Sequence, residues 1–374
     1  MSGPEKVLVI AGYAPSLLNF RGPLLRTLVA RGHEVVAVAP ERDAATADGL
    51  ARLGVRYRAV PFRRNGLNPW QDLRGAAGLY RVIRQERPDL VFAYTVKPVI
   101  FGSFAARAAG VRRVYSMVTG LGYAFTAPGR RPRLLRRLIL GLYGGALRLN
   151  RATIFQNRDD RALFTSARVV APGRARLVDG SGVDLAHYRA APLPGGDVTF
   201  LLVARLLRAK GVPEYVEAAR RLAGRHRARF VLVGPLDTNP SGIGRATLDA
   251  WRAEGAVEYL GEAADVRPHL AGCHVFVLPS AYGEGVPRTV LEAMATGRAI
   301  ITSDTPGCRE TVVEGVNGFL VPPGDAAALA GAMARFLEDP ALAGRMGQAS
   351  LDLVRARYDV HLVNAQMLRA FELA

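Results

Sequence analysis

Short apolar runs and helix-periodic stretches alternate along this chain of 374 residues. KVLVIAG (6–12) reads as a buried strand, GPLLRTLVARG (22–32) as a helix and HEVVAVAP (33–40) as the next strand. DLVFAY (89–94), RRVYSMV (112–118) and ATIFQN (152–157) continue the series. A second series begins at VTFLLVAR (198–205) and runs through FVLVG (230–234), VEYLG (257–261), HVFVLPS (274–280), AIITSD (299–304) and GFLVPP (318–323). Helices such as VPEYVEAARRLAG (212–224) lie between these strands. Strands that are apolar throughout, separated by helical periodicity, belong to parallel sheets covered by helices on both faces. The pattern therefore predicts an α/β protein with two doubly wound domains. The Pro- and Gly-rich stretch DLAHYRAAPLPGGD (184–197) marks the break, giving domains 1–185 and 186–357, with a terminal helix at 358–374 expected to pack back on the first.

Composition narrows the class. Cys273 and Cys308 are the only cysteines, which argues against a disulfide framework and fits a reducing compartment. The start MSGPEK is polar and precedes only a short apolar run, unlike a signal peptide. No apolar stretch approaches the roughly 18–20 residues of a spanning helix. A cytoplasmic protein, free or peripheral on the inner face of the membrane, is expected. The net charge of +18 is unevenly placed: residues 1–185 hold 30 Lys plus Arg against 12 Asp plus Glu, and residues 186–374 hold 20 of each. The basic surplus thus belongs to one half, which suggests two domains with different partners. Lysine occurs only at Lys6, Lys97 and Lys210, so a compositional preference for arginine contributes to the basicity but leaves its asymmetry unexplained.

The segment from Pro279 to Glu310 carries the clearest chemistry. Glu284 lies in a Gly-flanked loop and Glu292 on the helix that follows, with Pro287 suited to the first helical turn and Gly297 to its end. The N–H groups of Gly285 and Val286 would face whatever lies before the helix N-terminus, a place that favours an anion. Two acceptor carboxylates beside a phosphate-sized anion site suit a phosphorylated, polyhydroxylated ligand, of which a nucleotide sugar is the simplest. The spacing alone equally fits a surface loop with two solvated glutamates.

The ordered set of motifs resembles glycosyltransferase family 4, a retaining group with the two-Rossmann-domain GT-B fold, over nearly the whole chain. GSGVDLAHY (180–188) resembles its interdomain Gly-Val-Asp segment. VARLLRAKG (203–211) resembles its phosphate motif, with Ala204 where glycine is common. FVLVGPLD, VEYLGEAADV and the Glu284–Glu292 segment follow in the family's order. Arg205 supplies a planar fork that can clamp a diphosphate and Lys210 a mobile point charge beside it. The resemblance implies that Glu292 accepts from the ribose hydroxyls and Glu284 from those of the donor sugar. It further implies that Gly285, Val286 and Pro287 line the diphosphate and sugar, with the base, uridine by preference, near Gly234, Gly261 and Val266. Glu284, Arg205 and Lys210 are the expected catalytic groups. No Asp-x-Asp occurs, so no metal and no cofactor are expected, and neutralising the leaving diphosphate falls to Arg205, Lys210 and the helix N-terminus. Neither GxGxxG after the first strand nor GxxxxGK[ST] is present, which disfavours a dinucleotide oxidoreductase or a P-loop nucleotidase.

The first half should read the acceptor. Many family members carry His-Gly in the loop after the fifth strand, whereas this chain has VTGLGYAFT (118–126) with Thr119 and Gly120 there. His33 begins a strand and reads as structural. A general-base histidine is therefore not expected from this half, and the donor's own phosphate oxygen is the simplest proton acceptor, which makes positioning the main catalytic device. The TGLGYAF form resembles a subgroup that transfers a hexose or N-acetylhexosamine to polyprenyl-diphosphate-linked glycans in surface polysaccharide assembly. Gly12, Asn19, Arg21 and Lys97 are further candidates for acceptor binding, the last two, in loops facing the crevice, for its diphosphate.

In RRPRLLRRLILGLYGGALRLNR (130–151), Leu135, Leu138, Leu142, Ala146 and Leu149 recur at helical spacing opposite Arg133, Arg136, Arg137, Arg148 and Arg151. Two readings stand: a basic amphipathic helix on an anionic membrane surface, or a core-facing helix with a solvated arginine face. Nucleic-acid binding predicts aromatics among the arginines, and this stretch has only Tyr143, so no nucleic-acid partner is expected. Sugar-nucleotide epimerases share the two-domain fold and remain the nearest alternative; a non-catalytic basic membrane-binding protein is the alternative of another class.

Overall fold

A computed structural model describes residues 3–40, 42–62, 69–120, 140–224, 227–237, 239 and 241–374. They form two compact units, Met1–Ser181 with Val360–Ala374, and Gly182–Asp359.

Among the described residues the first unit holds seven strands: β1 (Lys6–Ile10), β2 (Glu34–Ala39), β3 (Arg56–Ala59), β4 (Leu90–Tyr94), β5 (Arg113–Val118), β6 (Ala152–Phe155) and β7 (Ala175–Leu177). Their order is β3-β2-β1-β4-β5-β6-β7, parallel throughout. The second unit has β8 (Val198–Val203), β9 (Ala228–Val233), β10 (Glu258–Tyr259), β11 (Val275–Leu278), β12 (Ala299–Ser303) and β13 (Gly318–Val321). These pair in the order β10-β9-β8-β11-β12-β13, again all parallel. Both sheets reverse their winding once, between β1 and β4 and between β8 and β11. In an open parallel sheet that reversal opens a crevice at the carboxyl ends of the two strands, where ligands bind.

The long apolar runs follow from burial on both faces. Val7 and Val9 pack on one side of the first sheet with Leu25 and Phe92. Leu8 and Ile10 pack on the other with Ile83 and Val99. In the second sheet Phe200 and Leu202 divide in the same way from Leu201 and Val203. Each fully buried side chain of this kind stabilises the unit by roughly 1.5–3 kcal/mol, so a period-2 polar pattern would be costly here. The alternating exposure along β3 and the three-residue length of β7 mark them as edges, and neither stands out in the hydrophobic pattern. Helices Ala44–Arg52 and Arg158–Ser166 start at Asp43 and Asn157, whose side chains accept from Thr46 N at 3.1 Å and Asp160 N at 2.7 Å.

Helix Val360–Ala370 belongs to the first unit. Asn364 Nδ2 donates to Thr27 Oγ1 (3.1 Å) and Gln366 Nε2 to Asp179 (2.7 Å). Phe371 is fully buried between Phe92 and Tyr115, at centroid distances of 5.0 and 5.4 Å. Within the second unit Val183 bridges to Asp359 and its N–H donates to Tyr358 O at 2.9 Å, so the chain's entry and exit lie side by side. The 184–197 stretch, outside any helix or strand, is held against the second sheet: Ala191 N donates to Thr296 O and Arg298 Nη2 to Pro192 O.

Of the basic segment 130–151, Arg133, Leu135, Arg136, Arg137 and Leu138 lie outside the described residues. The described part is helical over 140–147. It buries Tyr143, Ala146 and Leu147, whereas Leu142, placed on the apolar stripe by spacing, is 42% exposed. The buried face therefore lies about one residue round from the expected one. No helix among the described residues is long and apolar enough to cross a membrane.

Candidate functional site in the second unit

The β8–β11 reversal collects the basic and acidic candidates. Arg205 and Lys210 follow β8, Glu284 lies in the loop after β11, and Glu292 rides on the helix Arg288–Ala295. This helix begins one residue later than expected: Pro287 is its N-cap in extended conformation (φ −69°, ψ 117°), not its first turn. Val290, Leu291, Ala293, Met294 and Ala295 are fully buried, so the helix is a rigid carrier for Glu292.

Lys210 Nζ is ion-paired with Glu284 Oε1, a contact that motif spacing gave no reason to expect. Ser280 Oγ donates to the same carboxylate oxygen at 3.1 Å, and Lys210 Nζ stands 5.6 Å from the centre of the Tyr282 ring. Both charged side chains are mostly buried, at 17% and 13% exposure, which raises the strength of their coupling over that of a surface pair. Arg205 differs: it is half exposed and paired with Asp237 at 2.8 Å.

The loop bearing Glu284 is braced from behind by the segment after β12. Thr305 Oγ1 donates to Ser280 O at 3.1 Å, and Cys308 is fully buried, its thiol pushed up to about 11 by that burial. Between them Gly307 (φ +80°) approaches so closely that a Cβ there would sit 2.0 Å from the Gly285 carbonyl oxygen. Only glycine fits that approach. Gly211, between Lys210 and the helix Val212–Leu222, meets the Pro279 carbonyl in the same manner, with a Cβ distance of 2.1 Å. Both acidic and basic partners are thus seated by backbone contact.

Glu292 is 6% exposed. Burial pushes its carboxyl above the ordinary range, while Arg288 and the Tyr188 phenol counter it. Arg288 Nε lies 2.8 Å from Glu292 Oε1, close in distance though its N–H is not aligned for a hydrogen bond. The Tyr188 phenol is itself pushed well up by burial and by the Glu292 carboxylate. Tyr188 and Arg288 were absent from the candidates that spacing supplies. Tyr188 follows the Gly-Val-Asp segment, and Asp184 turns the chain toward it, accepting from Ala186 N through Oδ1 at 2.9 Å and from Tyr188 N through its carbonyl at 2.8 Å. An aromatic residue four after that aspartate was the available signal.

Gly234 and Gly261, after β9 and β10, are joined by a hydrogen bond from Gly234 N to Gly261 O at 2.8 Å, and Tyr259 Oη donates to Gly234 O at 2.9 Å. Val266 caps the short helix Arg267–Ala271. Its neighbours Asp265 and Arg267 pair with each other at 2.7 Å, which holds the Asp265 carboxyl low.

The first-unit candidates gather at the carboxyl ends of β1, β4 and β5. Gly12 follows β1, and a Cβ on it would lie 2.6 Å from Thr95 Oγ1. Arg21, expected in a loop facing the crevice, lies instead at a helix start. It caps the helix Gly22–Ala30, is 3% exposed, and sits 5.0 Å over the Tyr94 ring, with Nη2 2.8 Å from Met117 Sδ. Burial raises the Tyr94 phenol to about 12, against the charge of Arg21. Lys97 likewise lies in the first turn of a helix, Val96–Ala108, paired with Asp72 at 2.5 Å. Asn19 is exposed, and Thr119 and Gly120 follow β5 half buried. His33 accepts from Glu5 N at 3.1 Å, a contact between strand starts at the opposite end of the sheet.

Two family models match the chain, together covering most of it: "Glycosyl transferase 4-like domain" over residues 22–180 and "Glycosyl transferases group 1" over 197–339. The chain is 29% identical over 371 residues, 96% of each protein, to the N,N'-diacetylbacillosaminyl-diphospho-undecaprenol alpha-1,3-N-acetylgalactosaminyltransferase of Campylobacter jejuni. It is 27% identical, over 77% of this chain and 76% of the relative, to the UDP-Gal:alpha-D-GlcNAc-diphosphoundecaprenol alpha-1,3-galactosyltransferase of Escherichia coli. Among solved structures, Anabaena HepE in complex with UDP and glucose superposes with a TM-score of 0.80 at 18% identity, over 99% of this chain and 100% of that one. A sucrose-phosphate synthase from Thermosynechococcus elongatus gives 0.82 at 20%, over 98% of each chain. With its two parallel Rossmann-like units, the chain belongs to the group 1, family 4-like glycosyltransferases and is a sugar-transferring enzyme of the GT-B fold.

Proposed function

We propose that this enzyme moves a hexose or N-acetylhexosamine, with retention, from a nucleotide sugar to a polyprenyl-diphosphate-linked saccharide in surface glycan assembly. The observation that carries the acceptor class is the 96% coverage of the Campylobacter protein, whose name places its acceptor on diphospho-undecaprenol; the Escherichia coli relative acts on the same lipid carrier. That relative uses a UDP sugar and HepE binds UDP, which favours uridine as the base.

In this reading the second unit binds the donor and the first unit the acceptor. Glu292, held by Arg288 and Tyr188, takes the ribose hydroxyls. The Gly234–Gly261 pair and Val266 border the base. Lys210 and Arg205 neutralise the diphosphate as it departs, assisted by the amides of Gly285 and Val286, and Pro287 lines the sugar. Glu284 is anchored by Ser280 and Lys210, so it meets the sugar hydroxyls without reorganising, which is how preorganised charge lowers a barrier. The acceptor candidates are Gly12, Asn19, Arg21, Lys97, Thr119 and Gly120. Arg21 is too buried to reach far, so it serves the acceptor by shaping the floor beside Tyr94. Peripheral attachment to an anionic membrane through 130–151, on a cytoplasmic face, is part of the same proposal.

The test is transfer itself. UDP-hexoses and UDP-N-acetylhexosamines are incubated with a polyprenyl-diphosphate-linked monosaccharide, and the lipid fraction is analysed by mass and by the anomeric configuration of the new bond. A mass gain of one sugar with an α linkage is expected. Interconversion of the free nucleotide sugar without a lipid product would favour the epimerase alternative.

A further inference from the structure

The first unit carries a second concentration of chemistry at the other end of its sheet. Arg107, Arg112, Arg148, Arg151, Arg174 and Arg176 line one concavity of about 490 Å³, with Glu372 as its only carboxylate. Arg107 ends the helix Val96–Ala108, Arg112 precedes β5, Arg151 precedes β6, and Arg174 and Arg176 flank the start of β7. These are the amino ends of the strands, away from the carboxyl ends where the acceptor candidates lie.

Part of this basic character is structural. Cations at helix C-termini complement the dipole, which accounts for Arg107. Its Nη1 donates to Val111 O at 3.2 Å, Arg174 Nη1 donates to Arg148 O at 3.1 Å, and Arg151 pairs with Glu372. Arg112, Arg148 and Arg176 have no such account: their guanidinium groups make no hydrogen bond or ion pair among the described residues. Six guanidinium groups around one carboxylate repel one another, and a multiply charged anion relieves that repulsion. The guanidinium fork matches phosphate oxygens in pairs. Being concave, the surface lets several forks converge on one anion.

We propose that this basin binds a phosphate-type polyanion, either a soluble diphosphate or the headgroups of acidic phospholipids, separately from the donor and acceptor sites. Hydrogen exchange with inorganic pyrophosphate tests it. The expected result is saturable protection of segments 105–113, 147–152 and 172–177, with the half-saturating concentration raised at least tenfold in the triple variant Arg112→Gln, Arg148→Gln, Arg176→Gln. These exposed side chains make no hydrogen bond or ion pair among the described residues, so the variant should fold. Pyrophosphate taken up by the donor site protects segments of the other unit, so failure there is read apart from failure here. Sedimentation with phosphatidylglycerol vesicles, against phosphatidylcholine, separates the sources. Loss of vesicle binding in the pair Arg112→Gln, Arg176→Gln, both outside 130–151, names the lipid headgroup; vesicle binding equal to the parent's in that pair, with the pyrophosphate response lost, names the soluble anion. Absence of protection in the parent with both probes, or protection unchanged in the variant, overturns the proposal.

Discussion

Replacing Gly307 with alanine tests whether the braced loop positions Glu284. The added Cβ would lie 2.0 Å from the Gly285 carbonyl oxygen and 2.5 Å from that of Glu284, where contacts under 3.0 Å are essentially never seen, so something must give by about 1 Å. The 304–308 segment cannot easily yield, because Thr305 is bonded to Ser280 O and Cys308 is fully buried. The displacement should therefore fall on the Glu284–Gly285 peptide. A misplacement of about 1 Å at reacting groups costs on the order of 100-fold in rate, and the left-handed backbone adds roughly 1–2 kcal/mol of instability. Gly315→Ala is the control, since Gly315 has the same left-handed conformation (φ +72°) but nothing within 4 Å of its Cβ position. Sugar transfer and thermal melting would be measured on both variants. A larger melting loss is expected for Gly307→Ala, whose clash adds to the backbone cost that both variants share, with turnover falling about 100-fold for that variant alone. Turnover within threefold of the parent would refute the argument that backbone contact from Gly307 sets the position of Glu284.

Glu292→Gln should weaken UDP binding by roughly tenfold or more, the size of a lost charge-assisted hydrogen bond; unchanged affinity by calorimetry would remove Glu292 from the donor site. Lys210→Ala should lower kcat by about 10²–10³, as for other donors that meet developing charge, and a loss confined to KM would instead make it a ground-state binding group. Transfer should persist in excess EDTA, because no Asp-x-Asp pair is present; loss restored by magnesium or manganese would overturn that. Burial raises Asp160 to about 6 from 3.8, against the hydrogen bond from Asn157. A raised carboxyl holds its proton more tightly when folded, so stability is lost as pH climbs from about 4 to 6. Asp160→Asn escapes this, and its stability relative to the parent should rise by about 2 kcal/mol between pH 4 and 7 by denaturant titration; a pH-independent difference would contradict the buried-carboxyl account.

Strands buried on both faces were legible because only small polar residues such as Ser116, Thr153 and Thr199 interrupt them, and the crevice motifs because Glu284, Glu292, Arg205 and Lys210 sit at fixed distances from such strands. Edge elements were not: β3 alternates with exposed arginines and β7 has only three residues, so neither has a hydrophobic run to betray it. Pairings between loops were equally hidden. The Lys210–Glu284 pair and the approach of Tyr188 to Glu292 join residues about 75 and 100 positions apart, and no local pattern encodes such contacts. The placement of Arg21 failed for a related reason. Arginine in a loop-like sequence reads as solvent-facing, and its guanidinium finds a buried seat against Tyr94 and Met117, both far along the chain.

The return of Val360–Ala374 to the first unit bears on how such enzymes can exchange parts. The first unit is not one contiguous stretch; Gly182–Asp359 is spliced into it. A single crossover near residue 182 would combine a foreign second half with a first unit whose closing helix came from the wrong parent. Phe371 would then have to fit between a Phe92 and a Tyr115 it had not been selected beside. Two crossovers, at 181/182 and 359/360, keep that ring cluster intact. The same two points are adjacent in space through the Val183–Asp359 bridge, so the second unit can be lifted out and replaced as a cassette. Under the proposed division of roles, swapping nucleotide-sugar preference while keeping the acceptor is a two-junction operation.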